Sequence, residues 1–113
     1  MANSIKRGEN QLVQITLTQQ DGSALNVSDL TLCTVTLSQL GANIVTYTLG
    51  VSPEIRQGAA ANILEIEITK SVSAALKLSL LILEVFMEVS DSEFDVDGFQ
   101  RDKKCVIISV VNC

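Results

Sequence analysis

The residues able to do chemistry in this chain are few, and their spacing sorts them. Two pairs of carboxylates, Glu65/Glu67 and Glu84/Glu88, stand at even spacing inside apolar runs. On an extended strand each pair therefore shares one face. Paired carboxylates cleave glycosidic bonds when they flank a cleft. No tryptophan and only one tyrosine, Tyr47, are present to hold a sugar, so both pairs read as the wet face of a sheet. The chain has no histidine, which excludes Ser-His and Cys-His nucleophilic catalysis. Neither a glycine-rich phosphate loop nor the P-loop pattern occurs. No catalytic residue is assigned, and an enzyme is not expected.

Glu93-Phe94-Asp95-Val96-Asp97-Gly98 matches the first half of a calcium loop, with alternating oxygen ligands followed by a glycine. The match fails at the twelfth position, where Lys104 stands in place of a bidentate glutamate. The competing reading is a hairpin tip kept soluble by its charges, and no metal or other cofactor is assigned. The three cysteines, Cys33, Cys105 and Cys113, form no CxxC pair, so a structural zinc site is not expected. Cys105 and Cys113 on one strand would lie about 25 Å apart at ~3.3 Å per residue, too far to bridge. A sandwich would allow Cys33 to meet Cys105, but buried free thiols are the reading for a reducing compartment.

These side chains must be positioned by strands. Gln11 to Thr18 places Val13, Ile15 and Leu17 on one face, and Asp21-Gly22 then turns the chain. Ala24 to Val27 is a short extended piece. Thr31 to Ser38 and Asn43 to Leu49 form a hairpin around Gly41-Ala42. Gly50 to Ala61 contains the only proline, Pro53, and reads as an exposed loop. Asn62 to Thr69 alternates strictly, with Leu64, Ile66 and Ile68 inward and Glu65 and Glu67 outward. Thr69 to Lys77 changes to helical spacing behind a Ser71 cap. Leu80 to Val89 and Cys105 to Val111 complete the set, the latter apolar on both faces. The prediction is an all-β, Ig-like antiparallel β-sandwich of about seven strands with one short helical turn, as a single domain over residues 1–113.

Nearly half of the residues are apolar while aromatics are scarce, so the core must be built from Val, Ile and Leu, which suit pleated sheets. The net charge of −5 argues against nucleic acid as a partner. No targeting segment and no stretch long enough to span a bilayer is read, so no membrane partner is expected and synthesis in a cytoplasm is.

Ile5-Lys6-Arg7-Gly8, Leu12-Val13-Gln14-Ile15, Asp21-Gly22-Ser23 and Leu25 to Leu30 look like the start of many small phage virion domains. The passage Ile68-Thr69-Lys70-Ser71, Leu76-Lys77-Leu78 and Leu81-Ile82-Leu83-Glu84-Val85 is similar to the Ig-like N-terminal domains of phage baseplate upper proteins and to related tail and head-decoration modules. The resemblance implies a non-enzymatic structural subunit of a tailed-phage virion, made in the host cytoplasm. It would bind other virion proteins in many copies or as a homo-oligomer. Because the chain stops at Cys113 where baseplate proteins of that type continue, an auxiliary capsid or small tail or connector component fits better than a receptor-binding fibre. The alternative function is a carbohydrate or host-surface binding module.

The interface residues expected on this reading are Ile107 and Val111, on the second face of the last strand, with Phe94 and Phe99 flanking the acidic tip. The competing expectation is that a neighbouring strand or the helical turn covers Ile107 and Val111 within the domain.

Overall fold

The structure, a computed structural model, describes residues 4–19, 22–90 and 99–111. Their alternating apolar residues fold into eight strands, β1 (Ser4–Lys6), β2 (Gln11–Thr16), β3 (Leu30–Gln39), β4 (Ala42–Thr48), β5 (Ile55–Gln57), β6 (Ile63–Ile68), β7 (Leu80–Ser90) and β8 (Phe99–Val111). A five-stranded sheet in the order β1-β8-β7-β3-β4 packs on a three-stranded sheet in the order β2-β6-β5. The molecule is an all-β sandwich. The small sheet repeats the B-E-D order of an immunoglobulin-like domain and the large sheet its G-F-C-C′ order, which makes the connectivity Ig-like.

The core lies between the sheets and is aliphatic. β3 contributes Cys33, Val35 and Leu37, and β7 contributes Leu81, Leu83, Val85 and Met87. Ile108 and Val110 come from β8, and Val13, Ile15, Leu64, Ile66 and Ile68 face them from the small sheet. Each such side chain contributes roughly 1.5–3 kcal/mol when fully withdrawn from water. Val13 opposes Ile66, Ile15 opposes Leu64, and Val35 opposes Val85, so the inward sets are locked in register.

Four local departures from the sequence-based expectation have physical causes. β1 runs parallel to β8, pairing Ser4 with Ser109 and Lys6 with Val111, so the sheets are not wholly antiparallel. The segment expected to be a loop, residues 50–61, contains β5, whose Ile55 is buried opposite Ile66. A three-residue edge strand is too short for its alternation to show in sequence. The helical turn α1 (Lys70–Ala75) is capped by Thr69, whose hydroxyl accepts from the Val72 amide at 3.4 Å, and not by Ser71.

Finally, β8 begins at Phe99, well before Cys105. Its early inward positions, Asp102 and Lys104, are polar, and Lys104 Nζ donates to the Thr16 carbonyl at 2.8 Å. Thr16 ends β2, so this stretch of β8 lies at the rim of the small sheet, where the sandwich interior opens to water. Charges are tolerated there on both faces, which hid the strand from a pattern search.

Two buried polar side chains fasten the connections. Ser73 on α1 accepts from the Gly8 amide at 2.9 Å and donates to the Lys6 carbonyl at 3.2 Å, tying the β1–β2 turn to the helix. Gln39 holds the β3–β4 turn against residues 77–79 through both ends of its amide.

Candidate functional site

The four sequence-selected carboxylates lie on the two outer faces of the sandwich, not across a cleft. On the small sheet, Arg56 bridges the first pair, its Nε reaching Glu65 at 2.8 Å and its Nη2 reaching Glu67 at 3.3 Å. The hydrogen bond to Glu65, reinforced by Glu67, holds the Arg56 guanidinium above its ordinary pKa. On the large sheet, Glu88 pairs with Arg101 at 2.9 Å and Glu84 with Lys103 at 3.6 Å. Each carboxylate is thus held by a cation, an arrangement that organises a surface and leaves no unengaged acid–base couple.

Tyr47 points inward and is 4 % exposed, with no hydrogen-bond partner for its hydroxyl. Burial, with Glu54 and Glu67 nearby, raises its pKa. A cavity of about 20 Å³ opens between Thr18, Gln19, Leu25, Met87, Val89 and Asp102, room for about one water. Small-molecule sites are an order of magnitude larger.

Cys33 and Cys105 are both free and lie on opposite faces of the large sheet. Cys33 is enclosed in the core, where burial pushes its thiol up to about 11, while Cys105 is exposed on the outer face. The expectation of buried thiols therefore holds for Cys33 and not for Cys105, since an odd-numbered residue of β8 faces outward. Cys113, Phe94 and the calcium-like loop of residues 93–98 lie outside the described residues. So does the side chain of Phe99, whose backbone opens β8.

The outer face of the large sheet is where sequence-selected interface residues gather. Ile107 is 60 % exposed and Val111 37 %, so neither a neighbouring strand nor α1 covers them. Ile107 sits directly opposite Ile82, itself 36 % exposed, and Leu80 continues the apolar end of β7 at 53 %. Farther along the same two strands the face becomes charged, with Glu84 and Glu88 on β7 and Lys103 and Arg101 on β8. Among the described residues β7 is paired along its length with β3 and β8, whereas β8 is paired on its far side only at Ser109, Val110 and Val111, by β1. Ile82 and Leu80 were legible as outward positions of β7, but their place beside Ile107 required the strand order.

Comparison with known proteins returns no family model, no curated protein and no solved structure similar to the chain.

Proposed function

We propose that the chain is a non-enzymatic structural subunit of a tailed-phage virion, an auxiliary capsid or small tail or connector component. It works by protein–protein assembly through the outer face of its five-stranded sheet. The observation that carries this reading is the exposed Ile82–Ile107 pair at the middle of a sheet, flanked by Leu80 and Val111. Aliphatic side chains paired across two interior strands form a contiguous patch of the kind that marks interaction surfaces. At about 25 cal/mol per Å² a modest patch contributes several kcal/mol, and many copies on one particle add avidity.

The virion setting rests on the resemblance of the strand–helical turn–strand passage and the N-terminal segment to phage Ig-like domains. A surface-adhesion role agrees with carboxylates held in ion pairs and a cavity sized for water. A sugar-binding role would need a tyrosine platform, and Tyr47 faces the core.

Mass spectrometry of purified particles tests the proposal by giving the copy number of the chain. The expected result is many copies per particle, reduced at least tenfold by Ile107→Asp. Absence of the wild-type chain from particles overturns it.

A further inference from the structure

The occupant of this face can be argued from its own pattern, taking the assembly role just proposed as the starting point. The face is polarised in two directions. Along the strands, Ile82 and Ile107 occupy one end, and Glu88 and Arg101 the other. Across the strands, the acids are on β7 and the bases on β8. Two sheets packed face to face by a two-fold axis can be related in a small number of ways. An axis perpendicular to the strands sets the isoleucines of one copy against the charges of the other when it passes midway along them, and leaves the charged ends of both copies uncovered when it passes through the isoleucines. An axis along β7 would set Glu88 on Glu88. An axis parallel to the strands and midway between β7 and β8 sets every residue of β7 over the partner copy's residue at its own cross-strand position.

That last operation is self-complementary. Ile82 falls on Ile107, and Glu88 on Arg101, reciprocally, because those are the residues the register places opposite one another. Aligned sheets are rotated by about 30°, so registry is best at a pivot and drifts away from it. The short apolar pair fits the pivot, and the Glu88–Arg101 registry about 20 Å away is kept when the two sheets cross at a small angle. Each Glu88–Arg101 bridge, already formed at 2.9 Å within a chain, then joins its symmetry mate in a four-charge cluster. Under this axis β7 and β8 overlap along their length, while the three-residue β1 reaches only the end of β3. Two strands at ~4.8 Å spacing and about 33 Å of strand length give on the order of 300 Å² of flat face. This is below the ~800 Å² per partner of a standard interface, so the pairing is a concentration-dependent one.

We propose that a second copy of this chain covers the outer face of the large sheet, in an isologous dimer whose two-fold axis runs parallel to the strands between β7 and β8, with Ile82 of each copy against Ile107 of the other.

The test is analytical ultracentrifugation of the full chain and two variants, Ile82→Lys and Ile107→Glu, both at exposed positions. The wild type is expected to sediment as a dimer. Each variant alone buries unpaired charge twice and should weaken the dimer about a hundredfold or more. An equimolar mixture should recover it, because the mixed dimer sets the introduced lysine against the introduced glutamate once and Ile82 against Ile107 once. A monomeric wild type, or a mixture that stays monomeric while both variants melt like the wild type, overturns the proposal. Cross-linking needs no change to the face. With Cys113→Ser in place, a short bismaleimide should join Cys105 of two copies, which the axis sets one strand spacing apart across the sheet gap, and failure to cross-link at dimer-forming concentrations also overturns it. A monomer that still enters particles in an Ile107-dependent way retains the assembly role and removes the second copy as its partner.

Discussion

The Gln39 side chain and the Lys77 backbone exchange hydrogen bonds in both directions. Gln39 Nε2 donates to the Lys77 carbonyl at 2.9 Å, and Gln39 Oε1 accepts from the Lys77 amide at 2.9 Å. The glutamine is buried, so this exchange stands in for the backbone ladder that the β3–β4 turn and the approach to β7 do not form with each other. It fixes where β7 enters the sheet, and therefore where Leu80 and Ile82 stand on the outer face.

Gln39→Leu should therefore destabilise the fold by about 1 kcal/mol, because it leaves the Lys77 amide without its protein partner, while the Lys77 carbonyl keeps the Ser79 amide. Urea unfolding monitored by circular dichroism checks this. An unchanged midpoint would mean that water reaches the site.

The two sides of the large sheet should respond oppositely to the same charge. Val85 is fully enclosed on the inner face, and Val85→Asp should prevent folding by burying an unpaired carboxylate. Ile107→Asp, on the outer face, should leave monomer stability within about 0.5 kcal/mol, the usual range for surface changes, while abolishing association. Thermal unfolding and sedimentation of the two variants separate the outcomes. A folded Val85→Asp protein would show that the register is displaced.

The turn between β3 and β4 carries a correctable strain. Leu40 and Gly41 both have positive φ, at 53° and 79°, the pattern of a two-residue I′ hairpin turn. Leucine is disfavoured there by roughly 1–2 kcal/mol, and asparagine is a preferred residue at that position. Leu40→Asn should raise stability by about 1 kcal/mol, measured as an upward shift of the unfolding temperature.

The cysteines give a pH signature. Cys33 titrates near 11 in the folded chain against 9.0 for an unperturbed thiol. Burial favours the protonated folded form, so the contribution to stability is fully present below pH 9 and is lost as pH rises towards 11. The loss over that window should be about 2–3 kcal/mol greater in the wild type than in Cys33→Val, which keeps the contribution of buried Tyr47. Denaturation at several alkaline pH values, compared between wild type and variant, measures it. At neutral pH a thiol reagent should modify Cys105 and spare Cys33, as peptide mapping would show.

The fold was largely legible because the inward positions are nearly all aliphatic. The strict alternation of β6, and of β7 from Leu81 to Met87, could be read one residue at a time. Legibility failed where cover was partial. At β5 only Ile55 points into the core, and at residues 102–104 β8 passes the rim of the small sheet. There the side chains no longer report the backbone. The candidate face was half legible: Ile107 and Val111 could be selected as outward apolar residues, but equally as residues hidden under a neighbour.

The sequence by itself determined which residues share a face, since a strand's side chains alternate with a period of two whatever surrounds them. It thereby determined the aliphatic core and the outward grouping of Glu84 with Glu88. Only the tertiary structure decided which faces meet water. Strand order placed β8 between β1 and β7, left its outer side uncovered, and brought Ile107 opposite Ile82 from 25 residues away in the chain. Pairing across strands is a long-range choice made by packing, and no local pattern encodes it.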